Sequence, residues 1–418
     1  MRVLYLHQYF STSKGATGGR SYEFAKALIA KGHSVTMLCG SACNSVTGLS
    51  QPFYRGRRHG IVEGIEVVEI DLNYSNYDSF FKRALKFLKF VFKTMQIVIF
   101  TGKYDLLYAS STPLTVAIPG ILAKIIRRKL FVLEIRDLWP ELPKAMGVIK
   151  NPFLLSAIGI LERVAYYFAD VGVGLSPGIC EGMSRFGSLP TGRIVFIPNG
   201  CDIDFFQKTC QKSEYLIPRT LVDLLATKFT AIFSGAHGVA NGLGAVLDVA
   251  SVLQKKGVLN IALVFIGDGK MKPFLIERTK REQLQNCYFF DYLSKELLGW
   301  ILKQAGVGLM LLQNIPAFYY GTSPNKFFDY IASGLPVINN YPGWIADLIQ
   351  ENQCGVVVPP DSPEDFANVL VEFANLDTKQ RESFSYNVLK LAKNKFDRKK
   401  LAEKFVGVCE KVYAKKII

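Results

Sequence analysis

Short apolar runs recur along the chain, each followed by a longer stretch with helical spacing. Residues 3–6 are the first predicted strand and residues 34–39 the second, with a helix over 22–31 between them. A polar, glycine-rich loop, STSKGATGGRS, joins the first strand to that helix. This is the opening of a doubly wound α/β domain. Further strands are predicted at 64–70, 105–109, 131–135, 171–175 and 194–197, and helices at 80–97, 113–126 and 152–168. Residues 41–65 read as a long polar loop carrying Arg55, Arg57, Arg58 and His59. The pattern turns polar and irregular from 202 to 228, then the alternation restarts with strands at 231–233, 262–266, 288–290, 308–312, 336–339 and 355–358. Two α/β domains are therefore expected, 1–205 and 206–396, followed by a basic helix over 397–418.

Residues 318–337, FYYGTSPNKFFDYIASGLPV, predict a loop, a short helix opened at Pro324 and Asn325, a glycine cap at Gly334 and a strand. At ~100° per residue, Phe327, Phe328, Tyr330 and Ile331 share one face. Asn325, Lys326, Asp329 and Ser333 share the other. A cation and free amides at a helix start, with a carboxylate one turn in, suit a phosphate joined to a diol. A plain solvated face is the other reading of the same pattern.

Residues 80–97 form a second informative helix. Lys82, Lys86, Lys89 and Lys93 fall within an arc of about 60°, and large apolar residues fill much of the remainder. A wide apolar face with a lysine stripe fits a helix lying in a membrane interface. It equally fits a core-packed helix with its lysines in water.

Charge adds to this picture. Of 418 residues 50 are Lys or Arg and 35 Asp or Glu, a net charge of +15. That favours a polyanionic partner. Nucleic acid is the least favoured, since the chain has no zinc-finger spacing, aromatic RNA-binding signature or basic tail. Eight scattered cysteines without CxxC, and four histidines, argue against a zinc site and a disulfide framework, and for a reducing compartment. The first residues, MRVLYLHQYF, lack a signal-peptide pattern. No apolar run reaches the ~18–20 residues needed to span a bilayer.

Candidate chemistry sits at predicted strand ends. Gly18 and Gly19 precede the first helix, where backbone can approach a ligand, and Arg20 is the adjacent cation. The loop is not GxGxxG, which disfavours a dehydrogenase. The strand at 131–135 runs into Arg136, Asp137 and Glu141. In the second half, Gly235, Ala236, His237 and Gly238, with Asn241 and Gly242, form another strand-to-helix loop, and Gly267-Asp268-Gly269 follows the next strand.

Seven segments carry a resemblance: LHQYF, GGRSYEFAKALIAKGHSVT, EIRDLWPE, IPNGCDIDFF, SGAHGVANGLGAVLDVA, FIGDG and SPNKFFDYIASGLPV. In this order they resemble the retaining GT-B glycosyltransferases usually called GT4. The nearer resemblance is to the bacterial N-acetylfucosamine-type branch that builds O-antigen or capsule repeat units. The resemblance implies two Rossmann-like doubly wound domains with a cleft between them, and a C-terminal helix folding back on the first. It implies a donor nucleotide-sugar site at Gly235, His237, Gly238, Gly267, Ser323, Pro324, Asn325, Lys326 and Asp329. Asp329 stands at the second acid of the family's Glu–seven residues–Glu signature, where the ribose diol is expected. Gly321 stands at the first. Ala236 and Asn241 occupy positions where the family commonly has Arg and Lys, so the diphosphate must find its cation elsewhere, first at Lys326, otherwise at Arg20 or His237.

The activity so implied is transfer of a sugar, such as N-acetylfucosamine, from a UDP-sugar to a polyprenyl-diphosphate-linked glycan. It would proceed with retention, without a metal or other cofactor. Lys326 and Asp137 are the expected catalytic residues; Gly18, Gly19, Arg20 and Arg136 are expected at the acceptor and its diphosphate. The four-lysine stripe would hold the enzyme to the cytoplasmic face of an anionic inner membrane. A nucleotide-sugar epimerase on the same architecture, and a non-catalytic nucleotide-sugar-binding partner subunit, are the alternatives.

Overall fold

Eight strands build the first sheet: β1 (Arg2–Leu6), β2 (Ser34–Ala42), β3 (Arg57–Val62), β4 (Ile65–Tyr74), β5 (Leu106–Ser110), β6 (Leu130–Ile135), β7 (Val171–Gly174) and β8 (Ile194–Phe196). Their order is β3-β4-β2-β1-β5-β6-β7-β8. All neighbours are parallel except the β3–β4 hairpin. The coordinates are a computed structural model, which describes residues 1–13, 15, 19–43, 45–75, 78–100, 103–208 and 216–417. The central strands are buried on both faces, so they read as unbroken apolar runs.

Each face of this sheet carries its own core. On one, the Phe80–Phe100, Ala117–Ile125 and Pro152–Phe168 helices bury residues including Phe90, Val98, Ile121 and Tyr166 against Leu107, Phe131 and Leu133. On the other, the Gly19–Ala30 helix and the closing Arg398–Ile417 helix pack together. Phe405 stacks on Phe24 at 4.2 Å between ring centroids and meets Tyr108 edge-on at 4.9 Å. Burying such a ring is worth roughly 2–3 kcal/mol. The C-terminal helix therefore folds back on the first domain.

The second sheet holds β9 (Phe229–Ser234), β10 (Ile261–Ile266), β11 (Cys287–Phe290), β12 (Val307–Met310), β13 (Val337–Asn339) and β14 (Gly355–Val357). All are parallel, in the order β11-β10-β9-β12-β13-β14. That is the doubly wound order of dinucleotide-binding sheets. Its core is closed on one face by the Gly244–Lys255 and Pro363–Ala374 helices. The Asn325–Ala332 helix packs against the Thr378–Lys395 helix.

By contacts the first unit is Met1–Pro198, Tyr320–Ser323 and Lys399–Ile418, and the second Asn199–Tyr319 and Pro324–Arg398. Two local expectations change. The loop expected over 41–65 contains the edge strand β3, paired to β4 through the turn at Glu63 and Gly64. Its alternating exposed and half-buried residues carry no apolar run to announce a strand. The polar stretch expected to be linker contains the Ile203–Lys208 and Arg219–Thr227 helices.

Candidate functional site

In the second unit the strand order reverses between β9 and β12, and ligands of doubly wound sheets bind at such a point, beyond the strands' carboxyl ends. Two glycine loops meet there. Gly235 ends β9 at φ +132°, and Gly267 ends β10 at φ +141°. A Cβ on Gly267 would stand 2.0 Å from the Gly235 carbonyl oxygen, so only glycine permits this backbone contact. Lys272 ties the loop ends from below: its ammonium donates to the Gly267 and Phe290 carbonyls, 3.0 Å each, and to Asp291 at 2.6 Å.

Lys326 lies across this corner. Its Cε is 3.4 Å from where a Gly235 Cβ would stand. Its ammonium donates to Asn241 Oδ1 at 2.6 Å and sits 4.1 Å over the Phe233 ring. Burial pulls its pKa down to about 7. The helix carrying it, Asn325–Ala332, follows Pro324 in an extended conformation and ends before Gly334 at φ +78°. Tyr330 fixes that helix to the sheet, its hydroxyl accepting from the Ser234 amide at 3.0 Å and donating to the Ile232 carbonyl at 3.2 Å. Phe327, Phe328, Tyr330 and Ile331 are buried, whereas Lys326 and Asp329 are half-buried and Asn325 is exposed.

Asp329 lies one turn on. Burial raises its pKa, while Lys295 and Arg398 oppose the rise and Asp202 adds to it. Those three groups form their own cluster, with Asp202 paired to Lys295 and, at 2.9 Å, to Arg398. His237 is fully buried in a nest of Phe233, Phe265 and Phe289. Burial and the nearby Lys272 and Lys326 hold it down to about 4 against Asp268, so it is neutral at pH 7. Gly238 is open to a side chain on all sides. It borders a separate cavity of about 350 Å³, lined also by Gly242, Met271, Arg278, Asn314 and Asp361. Ser323 groups with the first unit. Gly321 ends the Pro316–Gly321 helix, and no neighbour would crowd a side chain there.

In the first unit the reversal falls between β1 and β5. Gly18 lies outside the described residues, and Gly19 is the first residue of its helix rather than part of the loop. Arg20 is not available to a phosphate, contrary to expectation. It is buried, donates to Glu134 at 2.9 Å and to the Ile197 carbonyl at 2.7 Å, and bonds the Pro198 carbonyl. Glu134 also accepts from Ser110 at 2.6 Å and Tyr108 at 2.7 Å, and the Arg20 and Arg136 charges hold it at about 2 despite burial. Arg136 is half-buried, with Nη1 3.3 Å from His7 Nε2. Asp137 accepts from Thr112 Oγ1 at 2.8 Å, and burial raises its pKa. Thr112 has φ +97°, a strained position for a β-branched residue, of the kind that clusters at functional sites.

Of the lysine stripe, Lys86 is spent locally: its ammonium donates to Asp78 at 2.6 Å and to the Asn73 carbonyl at 2.5 Å. Lys82 and Lys89 are exposed and Lys93 half-buried. Phe81, Leu85, Leu88 and Phe92 are 50–70% exposed on the same helix. Among the described residues no helix is long and apolar enough to cross a membrane, and no group of three or more His, Cys, Asp or Glu could hold a metal ion.

Sequence reasoning did not single out His7, Ser21, Thr112, Lys272 or Lys295. Only the position of His7 and Ser21 beside a strand end and a helix start could have drawn attention to them.

No curated relative matches the sequence. Among solved structures, Anabaena HepE in complex with UDP aligns over 98% of this chain and 100% of its own, with TM-score 0.69 and 17% identity. Sucrose-phosphate synthase from Thermosynechococcus elongatus aligns over 99% of each chain, with TM-score 0.72 and 15% identity. WaaG, a glycosyltransferase involved in lipopolysaccharide biosynthesis, aligns over 98% and 99%, with TM-score 0.68 and 16% identity. At these identities the likeness shows the GT-B fold. The family described as "Glycosyl transferase 4-like domain" matches residues 15–200, and "Glycosyl transferases group 1" matches residues 223–391. Most of the chain is covered in family order, and the protein is a GT-B glycosyltransferase of the GT4 type.

Proposed function

We propose that the protein transfers a sugar, such as an N-acetylated deoxyhexosamine, from a UDP-sugar to a polyprenyl-diphosphate-linked saccharide, as in O-antigen or capsule synthesis. The observation that carries this reading is Lys326, held by Asn241 over Gly235 at the reversal point of the second sheet. HepE, which shares the fold, has been seen with UDP and with UDP-glucose. Asp329 holds the ribose diol, and Gly235, Gly238, Gly267, Pro324 and Asn325 line the donor.

The reaction breaks the anomeric C–O bond and leaves charge on the departing diphosphate. Lys326 and the amides at its helix start meet that charge, and such preorganised groups contribute most where charge develops. Retention follows if the departing phosphate oxygen takes the proton from the acceptor hydroxyl on the same face. Asp137 then orients the acceptor, Arg136 and Gly19 meet its diphosphate, and no metal or cofactor takes part. The test is product formation from UDP-sugar and a lipid-linked acceptor. Asp329→Ala should lower it about 100-fold, the cost of a lost bidentate contact to a diol. A new sugar formed without acceptor would make the protein an epimerase; donor binding without product would make it a binding subunit.

The site of action in this reading is the cytoplasmic face of an anionic inner membrane. The exposed Phe81, Leu85, Leu88 and Phe92, with Lys82, Lys89 and Lys93 beside them, support it. Juxtamembrane cations are worth about 1 kcal/mol each. Reversing these three lysines to Glu should therefore reduce flotation with anionic vesicles by 100-fold or more in partition coefficient, an order-of-magnitude figure. Unchanged flotation would remove the helix as an anchor.

A further inference from the structure

His7 leaves β1 at the reversal point of the first sheet and is 2% exposed. Its ring nitrogens have different partners. Nδ1 lies 2.7 Å from Ser21 Oγ, and Nε2 lies 3.3 Å from Arg136 Nη1. A guanidinium has donors and no acceptor. Nε2 must therefore accept and carry no proton. The imidazole proton sits on Nδ1 and is donated to the Ser21 hydroxyl. An imidazolium would set an N–H against the guanidinium, and the surroundings oppose it. Burial and the facing Arg136 and Arg20 hold the His7 pKa down to about 3, against the pull of Glu134.

The partners of this ring are themselves anchored. Ser21 follows Arg20, whose guanidinium is locked to Glu134 on β6 and to the Ile197 carbonyl. Arg136 leaves the end of β6, and its backbone amide donates to Ser111 Oγ at 2.9 Å. One guanidinium of the pair near β6 is thus consumed by the fold. The other has its base fixed and one nitrogen held, with the side chain half-exposed.

We propose that His7 is a positioning residue: as the Nδ1–H tautomer, braced by Ser21, it aims the Arg136 guanidinium at the anionic group of the acceptor. This rests on the reading of Arg136 as an acceptor contact. Its physical content is preorganisation. A free arginine side chain has rotamer entropy to lose, and a guanidinium already held loses less of it when the anion arrives. Because His7 does not titrate near neutrality, the aim of Arg136 is the same throughout the range in which the enzyme works.

The experiment is NMR of the full-length protein with ¹⁵N-labelled histidine and arginine. His7 should show the Nδ1–H tautomer unchanged from pH 5 to 8, and the Arg136 Nε–H should be as ordered as the backbone around it. His7→Leu should release Arg136 into rapid side-chain motion. His7→Gln, whose amide oxygen can accept from the same guanidinium, should keep it ordered. The wild-type spectrum decides even if His7→Leu fails to fold. A His7 titrating near its ordinary pKa, an Nε2–H tautomer, or an Arg136 that is mobile in the wild type would overturn the proposal. Arg136→Ala separates it from the underlying reading. Unchanged transfer in that variant, with His7 in its expected tautomer in the wild type, would remove the acceptor role and leave the His7–Arg136 geometry standing.

Discussion

Replacing Lys326 with methionine should lower kcat/KM for the nucleotide-sugar donor by about 10²–10³-fold, the usual cost of losing one preorganised group from a developing charge. The loop over residues 235–242, GAHGVANG, carries no Lys or Arg, so the loss is not covered by a neighbour in that loop. Asn241 instead accepts from the Lys326 ammonium and holds it in place. The fold should not suffer. Burial lowers the Lys326 pKa to about 7. Between that value and the ordinary one the unfolded chain binds more protons than the folded one, so this group disfavours the folded state at pH 7 and does so less as pH rises towards 10.5. Lys326→Met should thus melt no lower than the wild type. The same pKa gives a pH signature. kcat/KM reports the free enzyme, so activity should fall as pH rises through about 7. Lys326→Arg, charged at every working pH, should lack that alkaline limb.

Arg20→Met should act in the opposite way, on stability first. Arg20 and Glu134 are both buried, and removing one member of a buried pair costs about 3–5 kcal/mol because the other charge is left unpaired. The loss should also free the Ile197 and Pro198 carbonyls, which Arg20 holds just before the chain enters the second unit. Glu134→Gln added to Arg20→Met should recover part of the loss, since a neutral amide can keep the Ser110 and Tyr108 contacts. Acid unfolding checks the same pair. Glu134 is held at about 2, below its ordinary value of 4.5, so its contribution is present above pH 4.5 and is lost as pH falls through 2. The double variant should lack that part of the acid transition, read by circular dichroism.

These two cations show what sequence could and could not reveal. Lys326 and Asp329 lie three residues apart on one helix, so their shared face follows from helical periodicity, and β12 before them supplies the reversal point. Arg20 looked like a loop cation because its partner, Glu134, is 114 residues away and meets it only when β6 pairs with β5. Lys86 fell into a lysine stripe for a similar reason: Asp78 lies before the helix, where periodicity says nothing. The sheets were legible because their central strands are buried on both faces and read as apolar runs. The edge strand β3, RRHGIV, offers one face to water and pairs only with β4, so it has no such run. The strain at Thr112 and the bracing of Arg136 by His7 depend on loops from different strands meeting. No local pattern encodes that meeting.

The central claim is that the second unit holds a nucleotide-sugar. It is tested most directly by melting the full-length protein with increasing UDP, UDP-sugar, GDP and GDP-sugar. A ligand that binds the folded state stabilises it by about 2.7 kcal/mol at one hundred times its Kd. UDP and a UDP-sugar should raise the Tm of the wild type in a saturating manner, and the shift should shrink in Lys326→Met and Asp329→Ala. A Tm unmoved by any of these ligands at millimolar concentration, or a shift that both variants retain in full, would contradict the assignment.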